Sequence, residues 1–515
     1  MNIIFCSVPY IDTLEPIMAP AVLRAVVEKE GHQACTLDLN AHFKKMIHGY
    51  QHREDLLDNF LFYEGMNLKE ECVPFFVNML NEFTDMIMDK QPDIIALSLL
   101  TLNSQVFCRW LSVHLKSRYP DIPIIIGGSG IKNFIANTNN SWAENLRKDG
   151  IIDHYIMGDG EISLREFLRG NLQYPGINSN TWTQITDLDS LPFPNFEDYD
   201  WNLYESKVMQ IVDSRGCVRS CEFCDIIEHW TKYQYRSAES VFEEMVYQIE
   251  RHGITTFAMR NSLINGNMRE FEKLLDLIII YNEAHTDNPI SWWGYFIIRN
   301  AKQHPERLWE KLSKTNAQLH LGVESLIRDV RYKLGKKFDN EDIDFHLEMG
   351  KKYNVPLLLL IISAYPTETR ADLEFTKQWF RDRLHYAGNS VFQVAISYAS
   401  VLPGTKLEER ADEYGIKVGK YPSIWFNQNL AVTAEMKANH IHELNEICKP
   451  FQTTKSFKNQ TSLDATINVA NDYSDSVEDE LTLSSDFLLP AAAVLDTAIS
   501  KFVIPESEEF EKSIT

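Results

Sequence analysis

Two successive series of short aliphatic runs, each run followed by a stretch at helical period, limit what this chain can fold into. The first series opens with "MNIIFCSV", continues through "PAVLRAVVEKEGH" and reaches the strand-like "ACTLDL". It resumes with "DIIALSLL", "VFCRWLSVHLKSRY", "IPIIIGGSG" and "IDHYIMGDGE", which leads into "ISLREFLRG". Runs of this kind that alternate with amphipathic stretches predict a parallel, doubly wound sheet, with ligands expected beyond the carboxyl ends of its strands. Residues 43 to 90, rich in Met, Phe and acidic side chains, read as a mostly helical insertion. Residues 171 to 204 carry Pro, Asn and Asp without sustained periodicity and read as a linker to the second series.

Composition bounds the class. With 44% hydrophobic and 24% charged residues over 515 positions, the chain reads as globular with about two to four domains. A net charge of −23 argues against nucleic acid as a partner, since phosphate contacts need a basic surface. From Thr461 to Thr515 there are twelve Asp or Glu against two Lys, so this segment supplies −10 of that charge. Its first part reads as a solvated linker. The later "DFLLPAAAVLDTAISKFV" is apolar enough to dock as a helix. The longest aliphatic run, "PLLLLII", is too short to span a bilayer, and "MNIIFCSVPY" lacks the form of a secretory leader. A soluble protein in the reducing cytoplasm is expected.

Three of the eight cysteines crowd into "SRGCVRSCEFCDIIEHW": Cys217, Cys221 and Cys224, spaced C-x-x-x-C-x-x-C. A structural zinc site closes with four protein ligands, usually in two pairs. His229 is the one neighbour in sequence, on a helical-looking segment that carries it away. An iron-sulfur cubane explains an incomplete set better, because three thiolates hold three irons and leave the fourth open to a small molecule.

This motif, with Phe223 before its last cysteine, resembles the signature of the radical S-adenosylmethionine superfamily. The later segments "TTFAMRNSLINGN", "ISWWGYFIIRN", "LHLGVESLIRDVRYKLGKK", "PLLLLIISAYPTETRADL" and "VFQVAISYASVLPGTKL" resemble, in order, the strands of its six-unit partial barrel. The whole of residues 1 to 415 is similar to the branch with an N-terminal cobalamin-binding domain. The resemblance implies an α/β chain of four parts: a Rossmann-like cobalamin-binding domain over 1–170, a linker over 171–204, a partial (β/α)6 TIM-like barrel over 205–415, and a mainly helical region over 416–515. It also implies a 4Fe-4S cluster on Cys217, Cys221 and Cys224, S-adenosylmethionine on its open iron, and cleavage to a 5′-deoxyadenosyl radical. Met259, Arg260, Asn261 and Ser262 correspond to the segment that meets the methionine amino group. Glu324 corresponds to a ribose contact, with a salt bridge at the barrel rim as its plain structural alternative. Arg299, Lys336 or Lys337 would neutralise the methionine carboxylate. In "AYPTET", Thr367 stands where the related turn has glycine, and "VLPGT" would lie beside the adenine. Strand alternation sets Trp293 and Tyr295 on one face and Trp292 on the other.

For cobalamin the resemblance rests on Ser98 and Leu100 of an S-x-L element and on Gly127 and Gly128, with twenty-six residues between Leu100 and Gly127. Asp12 matches the aspartate of the related D-x-H-x-x-G loop, but Leu14 stands where its histidine would coordinate cobalt. His42 follows the second strand and reads as a surface or capping residue. Base-off cobalamin is therefore expected.

Three functions stay open at this point. The first is a cobalamin-dependent methyltransferase acting on an unactivated carbon or phosphorus centre. The second is a radical enzyme of another outcome, such as rearrangement, oxidation or sulfur insertion, without cobalamin. The third is a non-enzymatic cobalamin or iron-sulfur sensor. The implied partners are a small-molecule, lipid or peptide substrate and an electron donor such as flavodoxin or ferredoxin.

Overall fold

Aliphatic runs without polar alternation become strands covered on both faces, as a parallel sheet requires. In the computed structural model, which describes residues 1–9, 15–53, 72–101, 104–132, 141–418, 425–427 and 434–452, they form two such sheets. The first contains β1 (Asn2–Ser7), β2 (Gln33–Asp38), β3 (Ile94–Ser98), β4 (Ile124–Gly127) and β5 (His154–Ile156), in the order β2-β1-β3-β4-β5. All neighbours are parallel. The order reverses between β1 and β3, which opens a crevice at the carboxyl edge. Register aligns Ser7, Ser98, Gly127 and Ile156 in one row along that edge.

Helices Val73–Met88 and Ser104–Arg118 cover one face of this sheet through Phe76, Phe83, Phe107 and Leu111, packed against Ile4, Leu97 and Ile126. Helix Val73–Met88, inside the stretch read as an insertion, is thus part of the sheet's own cover. Helices Met18–Lys29 and Gly160–Leu168 cover the other face, where Val27 and Leu164 meet Phe5, Ala96 and Ile125.

The stretch read as a linker is firmly attached at both ends. Ile177 bridges to Ile156 and Thr183 to Gly158, while Phe196 is wholly buried in the core of the second sheet. Prolines and asparagines there mark irregular backbone, and the backbone is packed.

The second sheet begins at β6 (Met209–Ile211), and a two-residue antiparallel ribbon follows, β7 (Ser214–Arg215) with β8 (Gln234–Tyr235). It continues through β9 (Thr256–Met259), β10 (Ser291–Phe296), β11 (Ala317–Glu324), β12 (Leu357–Ser363) and β13 (Val391–Tyr398). The order is β13-β12-β11-β10-β9-β6, all parallel, with helices between successive strands. Local signals set those helices. Ser237 caps Ala238–His252 and left-handed Gly253 ends it, while Thr369 and Asp372 form a capping box on Arg370–Asp382.

Along β10, Trp292 is buried against Phe271 of the outer helical layer, at 6.1 Å and nearly perpendicular. Trp293 and Tyr295 face inward, onto His320 of β11. A hairpin of β14 (Ile416–Val418) and β15 (Trp425–Asn427) precedes helix Ala434–Cys448, whose Ile441 and Leu444 join the barrel core. Asp12, Leu14 and the acidic segment after Thr461 lie outside the described residues. Among the described residues no helix is long and apolar enough to cross a membrane.

Candidate functional site

The carboxyl edges of the two sheets face one shared cavity of about 880 Å³. Its wall on the barrel side is the excursion between β6 and helix Ala238–His252, which carries Cys217, Cys221 and Cys224. All three thiols line the cavity. Burial raises the Cys221 thiol, against the opposing charge of Lys336, and raises Cys224 to about 12. Among the described residues no three His, Cys, Asp or Glu side chains are gathered tightly enough to hold a single ion. A cubane takes each thiolate on a different iron, so its ligands stand farther apart than those of one zinc. His229 is engaged elsewhere, 3.0 Å from Asp225 Oδ2 and stacked on Trp182 at 4.4 Å.

Glu222, between the second and third cysteines, fixes the shape of the loop. Its carboxylate, 4% exposed, accepts from Tyr365, Arg410 and Tyr414. Its backbone bonds to Leu334 O at 3.0 Å and accepts from Leu407 N at 2.9 Å. The loop is thereby tied to the strand ends that follow β11, β12 and β13.

Opposite the cysteines, Arg260, Asn261 and Ser262 leave β9 and reach the cavity. The amide of Asn261 has both polar atoms buried without a partner, which suits a ligand carrying both a donor and an acceptor. Arg260 pairs with Glu15 of the first domain and lies over Trp293 at 4.5 Å. Met259 is different: its side chain is fully buried against Gly294 and leaves the cavity to its neighbours. Glu324 ends β11 in a left-handed conformation, φ 63°, and its carboxylate meets Lys336 Nζ at 2.9 Å. Burial alone would lower the Lys336 amine, but Glu324 together with Cys221 leaves it above its usual value. Both residues line the cavity. Arg299 does not; it donates to Asn265 O at 3.2 Å, and burial lowers it. Lys337 faces outward on the exposed surface. In "AYPTET" the left-handed residue is Ala364, φ 56°, so Thr367 keeps its side chain without strain.

The first sheet meets the same cavity through Ser98, Leu100, Gly127 and Gly128. From this row the cavity runs down an apolar slot between the sheet, at Phe5, Ala96 and Ile125, and the helices carrying Val22, Leu23 and Leu164. A slot of this shape suits a long, largely apolar ligand arm. Gly128 has a reason of its own to be glycine. At φ +99° a Cβ there would fall 2.2 Å from the Leu99 carbonyl oxygen, so the chain's own backbone excludes a side chain. A Cβ on Gly127 would meet Ile156 O at 3.5 Å, an ordinary contact. His42, in helix Leu39–Ile47, lies away from the cavity.

A buried ionic latch joins the domains beside this site. Arg215, just before the cysteines, pairs with Asp159 at 3.0 Å and with Glu161, both from "GDGE". Trp230 Nε1 donates to Asp159 at 3.1 Å. Burial raises the Asp159 carboxyl despite Arg215, whereas at Glu161 Arg215 overcomes burial and lowers it.

Comparison with known proteins agrees with this fold. Residues 211–380 match the Radical SAM superfamily. An uncharacterized methyltransferase of Pyrococcus horikoshii is 22% identical over 291 residues, 52% of this chain and 59% of that protein. The chain spans about half the length of the curated relatives it matches. Among solved structures, the radical S-adenosylmethionine methyltransferase TsrM of Kitasatospora setae, with cobalamin and a [4Fe-4S] cluster bound, is similar at a TM-score of 0.58 and 14% identity, over 87% of this chain and 90% of that one. The cobalamin-dependent S-adenosylmethionine radical enzyme OxsB, with aqua-cobalamin and S-adenosylmethionine bound, matches at a TM-score of 0.61 and 14% identity, over 98% and 75%. At such identities these likenesses establish the fold.

Proposed function

We propose, from the match of residues 211–380 to the radical S-adenosylmethionine superfamily, that this chain is a cobalamin-dependent radical enzyme that methylates an unactivated carbon or phosphorus centre of a small molecule, lipid or peptide. One observation carries the reading: a single cavity joins the three cysteines to the small-residue row and apolar slot of the first sheet. A sensor would need no such shared chamber, because its two groups would report separately.

Cys217, Cys221 and Cys224 would hold the cluster, with Arg260, Asn261, Ser262 and Glu324 around S-adenosylmethionine. Ser98, Leu100, Gly127, Gly128 and the slot would hold cobalamin. When bound, the cluster supplies the electron that cleaves S-adenosylmethionine, and cobalamin carries the methyl group. The chain's own side chains position and insulate. Asn261 would offer its unpartnered amide to a polar ligand, Lys336 holds the Glu324 carboxylate in place, and Glu222 fixes the cysteine loop. The mostly apolar wall keeps water from reactive species, while the Arg215 latch holds the two carboxyl edges towards one another.

Anaerobic reconstitution with iron, sulfide and hydroxocobalamin tests this, followed by desalting, metal analysis and assay for 5′-deoxyadenosine. About one cobalt beside four irons per chain, with S-adenosylmethionine cleaved on reduction, is expected. An intact cluster with no retained cobalt would remove the methyltransferase reading.

A further inference from the structure

The cysteine loop has two sides. Cys217, Cys221 and Cys224 face the cavity, while Val218, Arg219 and Ser220 face outward into a separate surface hollow of about 560 Å³. Gly335, at φ +87°, lets the turn after helix Arg328–Lys333 rest on this loop: a Cβ there would lie 3.4 Å from the Cys221 Cα. Only the loop itself separates the hollow from the thiols.

The hollow is basic on an acidic protein. Arg219, Lys333, Lys337, Lys406 and Arg410 line it, against Glu222 and Glu409, although the chain carries −23 overall. Arg410 is neutralised by Glu222 beneath it and by Glu413 beside it, which leaves the outer charge to Arg219, Lys333, Lys337 and Lys406, against Glu409. Among the described residues Arg219, Lys333 and Lys337 have no carboxylate at salt-bridge distance. Lys333, Lys337 and Lys406 are exposed, and beside them Val218 stands 46% exposed. An apolar contact ringed by unpaired cations is the form of a weak, electrostatically steered docking site. An acidic partner repelled by most of this surface is drawn to one place.

We propose that this hollow is the docking site of an acidic one-electron donor protein of the flavin or iron-sulfur class, which reduces the cluster through the thickness of the cysteine loop. The proposal rests on the cluster assignment made above. One electron leaves the reduced donor and one is gained by the cluster, with no bond made or broken. Tunnelling falls off exponentially with distance, so a donor seated here has a much shorter path than one seated on the outer helices.

The experiment follows cluster reduction in the reconstituted full chain by stopped-flow absorbance, with reduced flavodoxin and, separately, with reduced methyl viologen, a small cation that needs no docking site. The wild type is compared with Lys333→Glu/Lys337→Glu, after iron content and the absorption spectrum show its cluster intact. Flavodoxin reduction should slow about tenfold or more in the variant and lose its dependence on salt, while viologen reduction keeps its rate. Equal flavodoxin rates in the two proteins would overturn the proposal. So would parallel slowing with both donors, which would place the effect on the cluster rather than on docking. A wild type that binds no cluster, or one that neither donor reduces, would instead sink the functional reading itself.

Discussion

The two parallel sheets present their carboxyl edges to the same cavity in opposite ways. The first offers small residues and backbone, in Ser98, Gly127 and Gly128, above an apolar slot. The second offers thiols and charge, in the cysteine loop, Arg260 and the Glu324–Lys336 pair. Small residues suit a bulky ligand held by shape, whereas fixed polar groups suit a ligand held by coordination and charge. A sheet edge therefore becomes a site according to what its last residues leave exposed.

Removing the thiols should divide the two edges most sharply. Cys217→Ala, Cys221→Ala or Cys224→Ala should each abolish stable iron incorporation, measured by metal analysis, while the same preparations still retain cobalt. Loss of both metals together would mean that the edges do not act as separate sites.

The latch between the sheets comes next. Arg215→Ala leaves Asp159 and Glu161, 4% and 6% exposed at their side chains, without their cation. A loss of about 3–5 kcal/mol in urea unfolding is expected, with faster hydrogen exchange at the 156–161 and 183–185 segments. A loss below about 1 kcal/mol would show that packing alone holds the domains together.

Within the first edge, the two glycines should part company. Gly128→Ala combines a left-handed backbone with a clash against the Leu99 carbonyl and should cost about 3 kcal/mol. Gly127→Ala meets ordinary contacts and should cost less than about 1 kcal/mol. Equal losses would contradict the backbone account of Gly128.

Acid sensitivity spreads its effect over single histidines. In the barrel, burial pushes His320 down to about 3 and His346 down to about 4, and His304 is lowered as well. His304 and His346 bond to one another at 2.9 Å, and Asn265 holds His304 from the other side at 3.1 Å. Among the described residues the first domain has one fully buried counterpart, His114, lowered to about 4. Folding favours neutral rings, so their stabilisation is complete above the unfolded value of about 6.5 and is lost as the pH falls from there towards the folded values. Between pH 6.5 and 5.5 each should cost about 1 kcal/mol. Denaturant midpoints followed by barrel and first-sheet probes should show the barrel failing first.

Much of this was readable along the chain because it is local. A C-x-x-x-C-x-x-C spacing is a property of eight residues, and the aliphatic runs before Ser98 and Gly127 are strands wherever they are placed. Inward Trp293 and Tyr295, set against outward Trp292, follow from the two-residue period of a strand. What stayed hidden was pairing at long range. Glu222 lies between Cys221 and Cys224, and its partner Tyr365 stands 143 residues away. Met259 and Arg299 sit in segments of the expected kind, but the direction of each side chain depends on what packs above it, Gly294 in one case and Asn265 in the other. The prolines of 171–204 gave no hint that Phe196 completes the barrel core.

The sequence by itself determined the two alternating series, the three thiols and the small residues at the first sheet's edge, because secondary structure and motif spacing follow from neighbouring residues. Only the tertiary structure decided that both edges open into one chamber and that the cysteine loop divides this chamber from a basic hollow. Both depend on contacts between residues far apart in the chain, such as Arg215 with Asp159 and Gly335 against Cys221. Local propensity does not encode those contacts; they are fixed when the two cores are packed together.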